Sequence, residues 1–158
     1  MVLRSVRVRP PNSLIFVMDE RVGVIPGDSS MTPVAVTSSC VTVPTLTELD
    51  GETEILLSDP ESFSPTPDLA MVWSGTLRTA GVLQVSTSDA EALLTLELLA
   101  NETPVVSVWA NDRNEPDVIW IVVDQTPDRD RPARGWWICN RLKPREVADP
   151  PRGAWGTR

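Results

Sequence analysis

The sequence predicts an all-β protein: an antiparallel β-sandwich of two packed sheets, with a proline-rich crossover and an irregular C-terminal tail. Two observations carry this. Apolar and polar residues alternate along many short segments, as in Val6-Arg7-Val8-Arg9 and Leu94-Thr95-Leu96-Glu97-Leu98, and a period of two belongs to a strand with one wet face. Fifteen prolines against eight glycines in 158 residues leave little room for long helices, since proline has no N–H and clashes with the preceding turn. The chain is long enough to bury one core, and its 41% hydrophobic content is that of an ordinary globular domain.

Reading turn residues as punctuation places strands at 3–9, 13–18, 22–25, 34–43, 53–58, 69–77, 82–87, 93–99, 104–110 and 117–123, with a short one at 136–139. Asp50-Gly51 is a two-residue connection that accepts positive φ at both positions, so residues 45–49 are expected to pair back on 52–57. Ala100 to Thr103 and Asn111 to Pro116 are short polar loops between β-prone segments and read as two further hairpins. The second of these joins Val105–Trp109 to Val118–Val123, a nearly continuous apolar ladder expected at the centre of the core. Ser88 and Glu91 have the spacing of a capping box, but the alternation that follows favours a turn and then a strand. Residues 59–68, Asp-Pro-Glu-Ser-Phe-Ser-Pro-Thr-Pro-Asp, hold neither a helix nor a central strand and read as an exposed crossover between sheets. Residues 1–126 thus form the sandwich, and the proline-, arginine- and tryptophan-rich residues 127–158 a tail that packs on it. Trp136, Trp137 and Trp155 are costly to leave in water, so at least the first two are expected to dock on the sandwich or on a partner.

The net charge of -8 is unevenly spread. Residues 10–127 carry 18 acidic and three basic side chains, whereas residues 1–9 carry three arginines and residues 128–158 eight basic and four acidic groups. An acidic body disfavours direct binding to DNA or anionic lipid and suits a basic protein partner. The basic ends are expected to fold back on that body. Neither a signal peptide nor an apolar stretch of about 18 residues is visible, so the expected location is cytoplasmic and away from membranes. There Cys40 and Cys139 are expected to be buried thiols, with a single long-range disulfide between them as the lesser alternative.

No enzyme apparatus is recognisable. The chain has no histidine, which removes the commonest general base, the commonest zinc ligand and any Ser-His or Cys-His nucleophile pair. The single lysine, Lys143, lies in a basic, proline-flanked tail without an apolar setting to lower its pKa. The glycines at 23, 27, 51, 75, 81, 135, 153 and 156 form neither a phosphate loop nor a dinucleotide fingerprint. Paired carboxylates remain: Asp59 with Glu61, Glu52 with Glu54, and Asp112 with Glu115 and Asp117. Glu52 and Glu54 read as a solvated strand edge. The loop from Asp112 to Asp117 lacks the turn glycine and distant glutamate of a calcium loop and carries Arg113 among the would-be ligands. Arg129, Arg131, Arg134, Arg141, Lys143 and Arg145 beside Trp136 and Trp137 resemble the surface of a single-strand binder, though arginine against tryptophan is equally good internal packing. No cofactor or metal is expected.

Between Gly75 and Val123 the layout resembles the competence protein J family, small inhibitors of a DNA-uptake nuclease. The resembling features are the strand Gly81-Val-Leu-Gln-Val, then Leu94–Leu98, a polar turn, Val105–Val108 ending in Trp109, a polar loop, and the closing strand Val118–Val123. The resemblance implies a non-enzymatic inhibitor. It covers residues 75–123 only, so no inhibitory residue is carried over from it.

The expected function is that of a protein-binding module, an acidic inhibitor or immunity-type partner of a basic nuclease or toxin. Its contacts are expected at Asp50, Glu52 and Glu54 on one hairpin and at Asp112, Glu115 and Asp117 on another, with Trp136 and Trp137 in the tail. The alternative is a structural or assembly protein, a phage or secretion-system component or a homodimer built on the two tail tryptophans.

Overall fold

Among the described residues the alternation read from the sequence becomes ten strands in two sheets. The structure, a computed structural model, describes residues 3–27, 33–98 and 103–125. The strands are β1 (Arg4–Val8), β2 (Leu14–Met18), β3 (Ala35–Val36), β4 (Cys40–Pro44), β5 (Thr53–Ser58), β6 (Ala70–Thr76), β7 (Val82–Thr87), β8 (Ala92–Glu97), β9 (Val105–Ala110) and β10 (Val118–Asp124). The first sheet has the order β1-β5-β10-β9-β6 and the second β3-β4-β2-β7-β8. All neighbours are antiparallel except β5 and β10, which run parallel with Glu54 beside Val118.

Each strand sends alternate residues into the space between the sheets. Ile15, Val17, Val41, Val43, Leu83, Val85 and Leu96 of the second sheet meet Ile55, Leu57, Val106, Val108, Ile119 and Ile121 of the first, all buried. Each such side chain contributes roughly 1.5–3 kcal/mol relative to leaving it in water. The expected ladder is at the centre, for β10 is the middle strand of its sheet and pairs with β9 through Trp120 and Trp109. A second apolar cluster lies on the outer face of the first sheet. There Phe63 packs 4.8 Å from Trp109 and, edge-on, 5.1 Å from Trp120, with Leu56, Leu69 and Val122 around them. Trp120 Nε1 donates to Ser58 Oγ at 2.8 Å and Trp109 Nε1 to Ser107 Oγ at 3.2 Å, so neither indole is buried with its donor unused.

Several expectations are corrected. Residues 22–25 are not a strand: Val24 gives its N–H to Ser39 Oγ and its carbonyl accepts from Thr37 Oγ1, so side chains occupy the groups a ladder would need. The 34–43 segment breaks at 37–39 into β3 and β4. Residues 45–49 do not pair with 52–57, because β4 belongs to the second sheet and β5 to the first. Gly51 takes a φ of 142° while Asp50 stays outside the positive region, so the mirror-image turn does not form. Likewise β8 and β9 lie in different sheets and do not pair as a hairpin. The 59–68 segment joins β5 to β6 within one sheet and lays Phe63 over it, instead of passing between sheets. Glu54 is not on an edge, because β1 covers the free side of β5. After Ser88 a turn with Ala90 at a φ of 63° leads into β8, so the capping box starts no helix.

Cys40 is buried, and loss of solvation pushes its thiol up to about 11. The strand at 136–139, Cys139, Trp136, Trp137 and the rest of the tail lie outside the described residues. The basic N-terminal strand does fold onto the acidic body, with Arg7 3.4 Å from Glu54 and Arg4 Nη1 donating to the Thr95 carbonyl. No helix among the described residues is long and apolar enough to cross a membrane.

Asp19 ties the pole of the sandwich where β2 ends to the β6–β7 turn. Its carboxylate is 1% exposed and accepts from the N–H groups of Arg21 (2.9 Å), Ala80 (2.7 Å) and Val82 (3.2 Å), with the Arg21 guanidinium at 3.4 Å. Burial works to raise its pKa, but these donors outweigh it and hold the carboxyl below its ordinary value of 3.8. A carboxyl with a depressed folded pKa stabilises the fold above its unfolded pKa, and that stabilisation is lost as pH falls through the folded one. Asp19→Asn sets an amide N–H₂ against backbone donors and is expected to cost about 2–4 kcal/mol at pH 7. Urea unfolding at pH 7 and at pH 3 should show the gap between wild type and variant narrowing at the lower pH.

Candidate functional site

Four connections meet at the other pole. They are residues 9–13 between β1 and β2, 45–52 between β4 and β5, 88–91 between β7 and β8, and 111–117 between β9 and β10. Backbone and side-chain bonds lace them together across the two sheets. Thr45 N–H donates to the Ser13 carbonyl at 2.9 Å, Leu46 N–H to the Pro116 carbonyl at 3.2 Å, and Asn12 Nδ2 to Ser88 Oγ at 2.9 Å. At the centre is Thr53, fully buried, whose Oγ1 donates to the Pro116 carbonyl at 3.1 Å and accepts from Leu46 N–H at 3.2 Å. Between these loops lies an open depression of about 330 Å³ lined by Asn12, Leu14, Pro44, Thr47 and Glu115.

The structure therefore brings the two predicted acidic segments together, although the first is a crossover and not a hairpin. Eight carboxylates occupy the four connections: Glu48, Asp50, Glu52, Asp89, Glu91, Asp112, Glu115 and Asp117, against the cations Arg9 and Arg113. They divide by what they touch. Asp50 accepts from Thr47 Oγ1, which with the bond from Asp50 N–H to the Thr47 carbonyl at 3.0 Å closes a turn over 47–50. Asp112 Oδ1 accepts from the N–H groups of Asn114 (2.8 Å) and Glu115 (3.0 Å), bonds that hold its carboxyl below the ordinary value. Asp117 accepts from Asn111 Nδ2, and Asn111 Oδ1 accepts from Val118 N–H at 3.1 Å. These three aspartates shape their own loops. The side chains of Glu48, Glu52, Asp89, Glu91 and Glu115 have no hydrogen bond or ion pair among the described residues. Glu54 sits apart on the outer face of β5, paired with Arg7.

Sequence reasoning missed Leu49. It occupies the tip of the 47–50 turn, between Glu48 and Asp50, with 97% of its surface exposed. The residue was hidden in the sequence by its expected place in a strand at 45–49, where an apolar residue would face the core. Backbone strain gathers at the same pole, for Asn12 (φ 60°), Ser13 (φ 55°) and Ala90 (φ 63°) are non-glycine residues in the left-handed region. Among the described residues no group of three or more His, Cys, Asp or Glu side chains is placed to hold a metal ion.

Fold and pole together define a two-sheet β-sandwich that presents a rigid, acidic set of loops at one end. No family model matches the sequence, and no curated protein matches it. Among solved structures the chain is similar in fold to ComJ from Bacillus subtilis, the inhibitor of the DNA-degrading activity of NucA. The two superpose with a TM-score of 0.58 over 78% of this chain and 96% of ComJ, at 9% identity. The likeness in fold thus extends well past the 75–123 segment.

The role of Thr53 as the joint between the two acidic loops is open to test. Thr53→Val keeps the volume but removes the hydroxyl that bridges the Pro116 carbonyl and Leu46 N–H, leaving those two only their bond to each other. It is expected to cost about 1–3 kcal/mol and to raise amide hydrogen exchange at Leu46 and through 112–117, while exchange in β7 and β8 tracks only the global change.

Proposed function

We propose that this chain is a non-enzymatic binding protein of the inhibitor or immunity type, and that its acidic loop pole engages a basic protein such as a nuclease. The observation that carries this reading is the gathering of eight carboxylates and one fully exposed leucine on loops laced to each other and to both sheets. A pole of this charge draws a basic surface by long-range attraction and raises the rate of encounter. It also offers carboxylates where a nucleic-acid site expects phosphates. Fixed loops lose little conformational freedom on binding, and Leu49 supplies the apolar contact that charged rims lack. The similarity in fold to ComJ, a nuclease inhibitor, agrees with this use of the scaffold. A self-assembling structural protein is the alternative; the residues it needs, Trp136 and Trp137, lie outside the described ones.

The roles of the carboxylates decide which substitutions are informative. Asp50, Asp112 and Asp117 hold loop shape, so their amides would disturb geometry as well as charge; Glu48, Glu52 and Glu115 do not. Affinity capture from the native cell at low salt, with mass spectrometry, is expected to retain a basic nuclease or toxin that high salt releases. Against that protein, Glu48→Gln, Glu52→Gln and Glu115→Gln combined should slow association about tenfold at low salt and flatten its salt dependence. Leu49→Ser should speed dissociation by about 10–100-fold. Unchanged kinetics in both variants would sink the placement of the interface at this pole.

A further inference from the structure

The outward face of the second sheet is built to be covered. In β2 and β4 the core takes Ile15, Val17, Val41 and Val43, so Phe16, Cys40 and Thr42 point the other way. An outward face of a sandwich is ordinarily polar and wet. Here the strand registers set Ala35, Thr42, Phe16, Ser86 and Ala92 side by side across all five strands, small side chains flanking one phenylalanine and no charge in the row. Phe16 is 8% exposed, Thr42 and Ser86 4% and Cys40 0%, yet Phe16 and Cys40 belong to neither apolar cluster formed by the described residues. Thr42 Oγ1 is buried with no hydrogen-bond partner among them; its contact with the Cys40 thiol eases that thiol's ionisation without meeting hydrogen-bond geometry. The turn after β2 covers only the end of this face, where a Cβ on Gly23 would come within 2.6 Å of Met18 Sδ.

We propose that residues 127–158 of the same chain dock on this face, with Trp136 and Trp137 over Phe16 and the small side chains beside it. Reach permits it. Ten residues lie between Gln125 and Trp136, a span of up to about 36 Å over the eleven steps when extended, whereas the way from β10 out to the edge of the first sheet, across to the second and in to β2 is about 10 Å for each leg, about 30 Å together. Charge favours it, since residues 128–158 carry eight basic and four acidic side chains and residues 10–127 carry 18 acidic and three basic. Chemistry favours it too: a row of small residues makes room for two indole rings, and an indole N–H is a donor for the Thr42 hydroxyl oxygen. The first sheet shows the same arrangement, with Phe63 of the 59–69 crossover laid on Trp109 and Trp120.

The test uses the full chain with Cys40→Ala and Cys139→Ala and a reporter thiol introduced by Ser86→Cys. Its labelling by N-ethylmaleimide under native conditions is compared with that of the same chain carrying Trp136→Ala and Trp137→Ala. Replacing the tryptophans is expected to speed labelling at least tenfold; equal rates would overturn the proposal. A rate that rises on dilution of the tryptophan-containing chain would also overturn it, assigning the cover to a second copy. The unmodified chain provides an independent check that no folding defect can blur. Trypsin should cut after Arg134 and Arg141 at least tenfold more slowly than in a synthetic peptide of residues 126–145, and equal cleavage would refute docking.

Discussion

The parallel pairing of β5 with β10 is the constraint on which the arrangement of this protein rests. Because the two strands run the same way, with Glu54 beside Val118 and Val122 beside Ser58, the segments that precede them reach the same pole. The 45–52 and 111–117 loops then meet, and the joint can be made: Thr53, first residue of β5, bonds the Pro116 carbonyl, and Glu54 N–H bonds the Asp117 carbonyl at 2.7 Å. An antiparallel pairing of the same strands would have sent the two acidic loops to opposite ends. Parallel neighbours also need a connection that changes sheet or crosses over; here β6 to β9 intervene between β5 and β10, and the 59–69 segment travels the length of the first sheet. The crossover, the acidic pole and the Phe63 cap are consequences of one pairing.

That pairing is what the sequence hides. Period-two alternation is a local signal, and it located eight strands within two residues of their ends; the strand at 34–43 was found but not its break at 37–39. The β9–β10 hairpin was legible because its loop is short and its two strands are adjacent in sequence. Partners distant in sequence leave no such mark, so Asp50-Gly51 and Ala100 to Thr103 were read as hairpins when their flanking strands lie in different sheets. The acidic residues of the pole were legible one by one, but not their convergence. Leu49 was illegible for the same reason, since whether an apolar residue faces the core or water depends on whether its segment pairs.

Among the carboxylates, burial and bonding separate structure from availability. Asp19, the most buried, spends its charge on three backbone N–H groups at the pole opposite the candidate site. Asp50, Asp112 and Asp117 are satisfied within their loops, and Glu54 is paired with Arg7 on the outer face of β5. What is left for a partner at this pole is Glu48, Glu52, Asp89, Glu91 and Glu115, on segments whose conformation other groups already fix. A glutamate here is a charge on a flexible stem above a stiff loop. That combination favours fast, salt-sensitive encounter over tight geometric recognition, and it puts the burden of a long-lived complex on an apolar contact, which at this pole falls to Leu49.

The two outer faces of the sandwich extend the same logic from loops to sheets. A five-stranded sheet whose outward side carries Trp109, Trp120, Leu56 and Val122 would be insoluble if left bare, and the proline-rich crossover meets that need with one phenylalanine and backbone. Proline suits the task because a segment lying on a sheet face has few donors to satisfy and little freedom to lose. On the outward side of the second sheet Phe16, Cys40, Thr42 and Ser86 are buried as well. Residues 127–158 carry five prolines and three tryptophans, against three prolines and one phenylalanine in residues 59–69. A strap of this kind over the first sheet lets its strands be apolar on both faces, and it leaves the loop pole as the place where charge is concentrated.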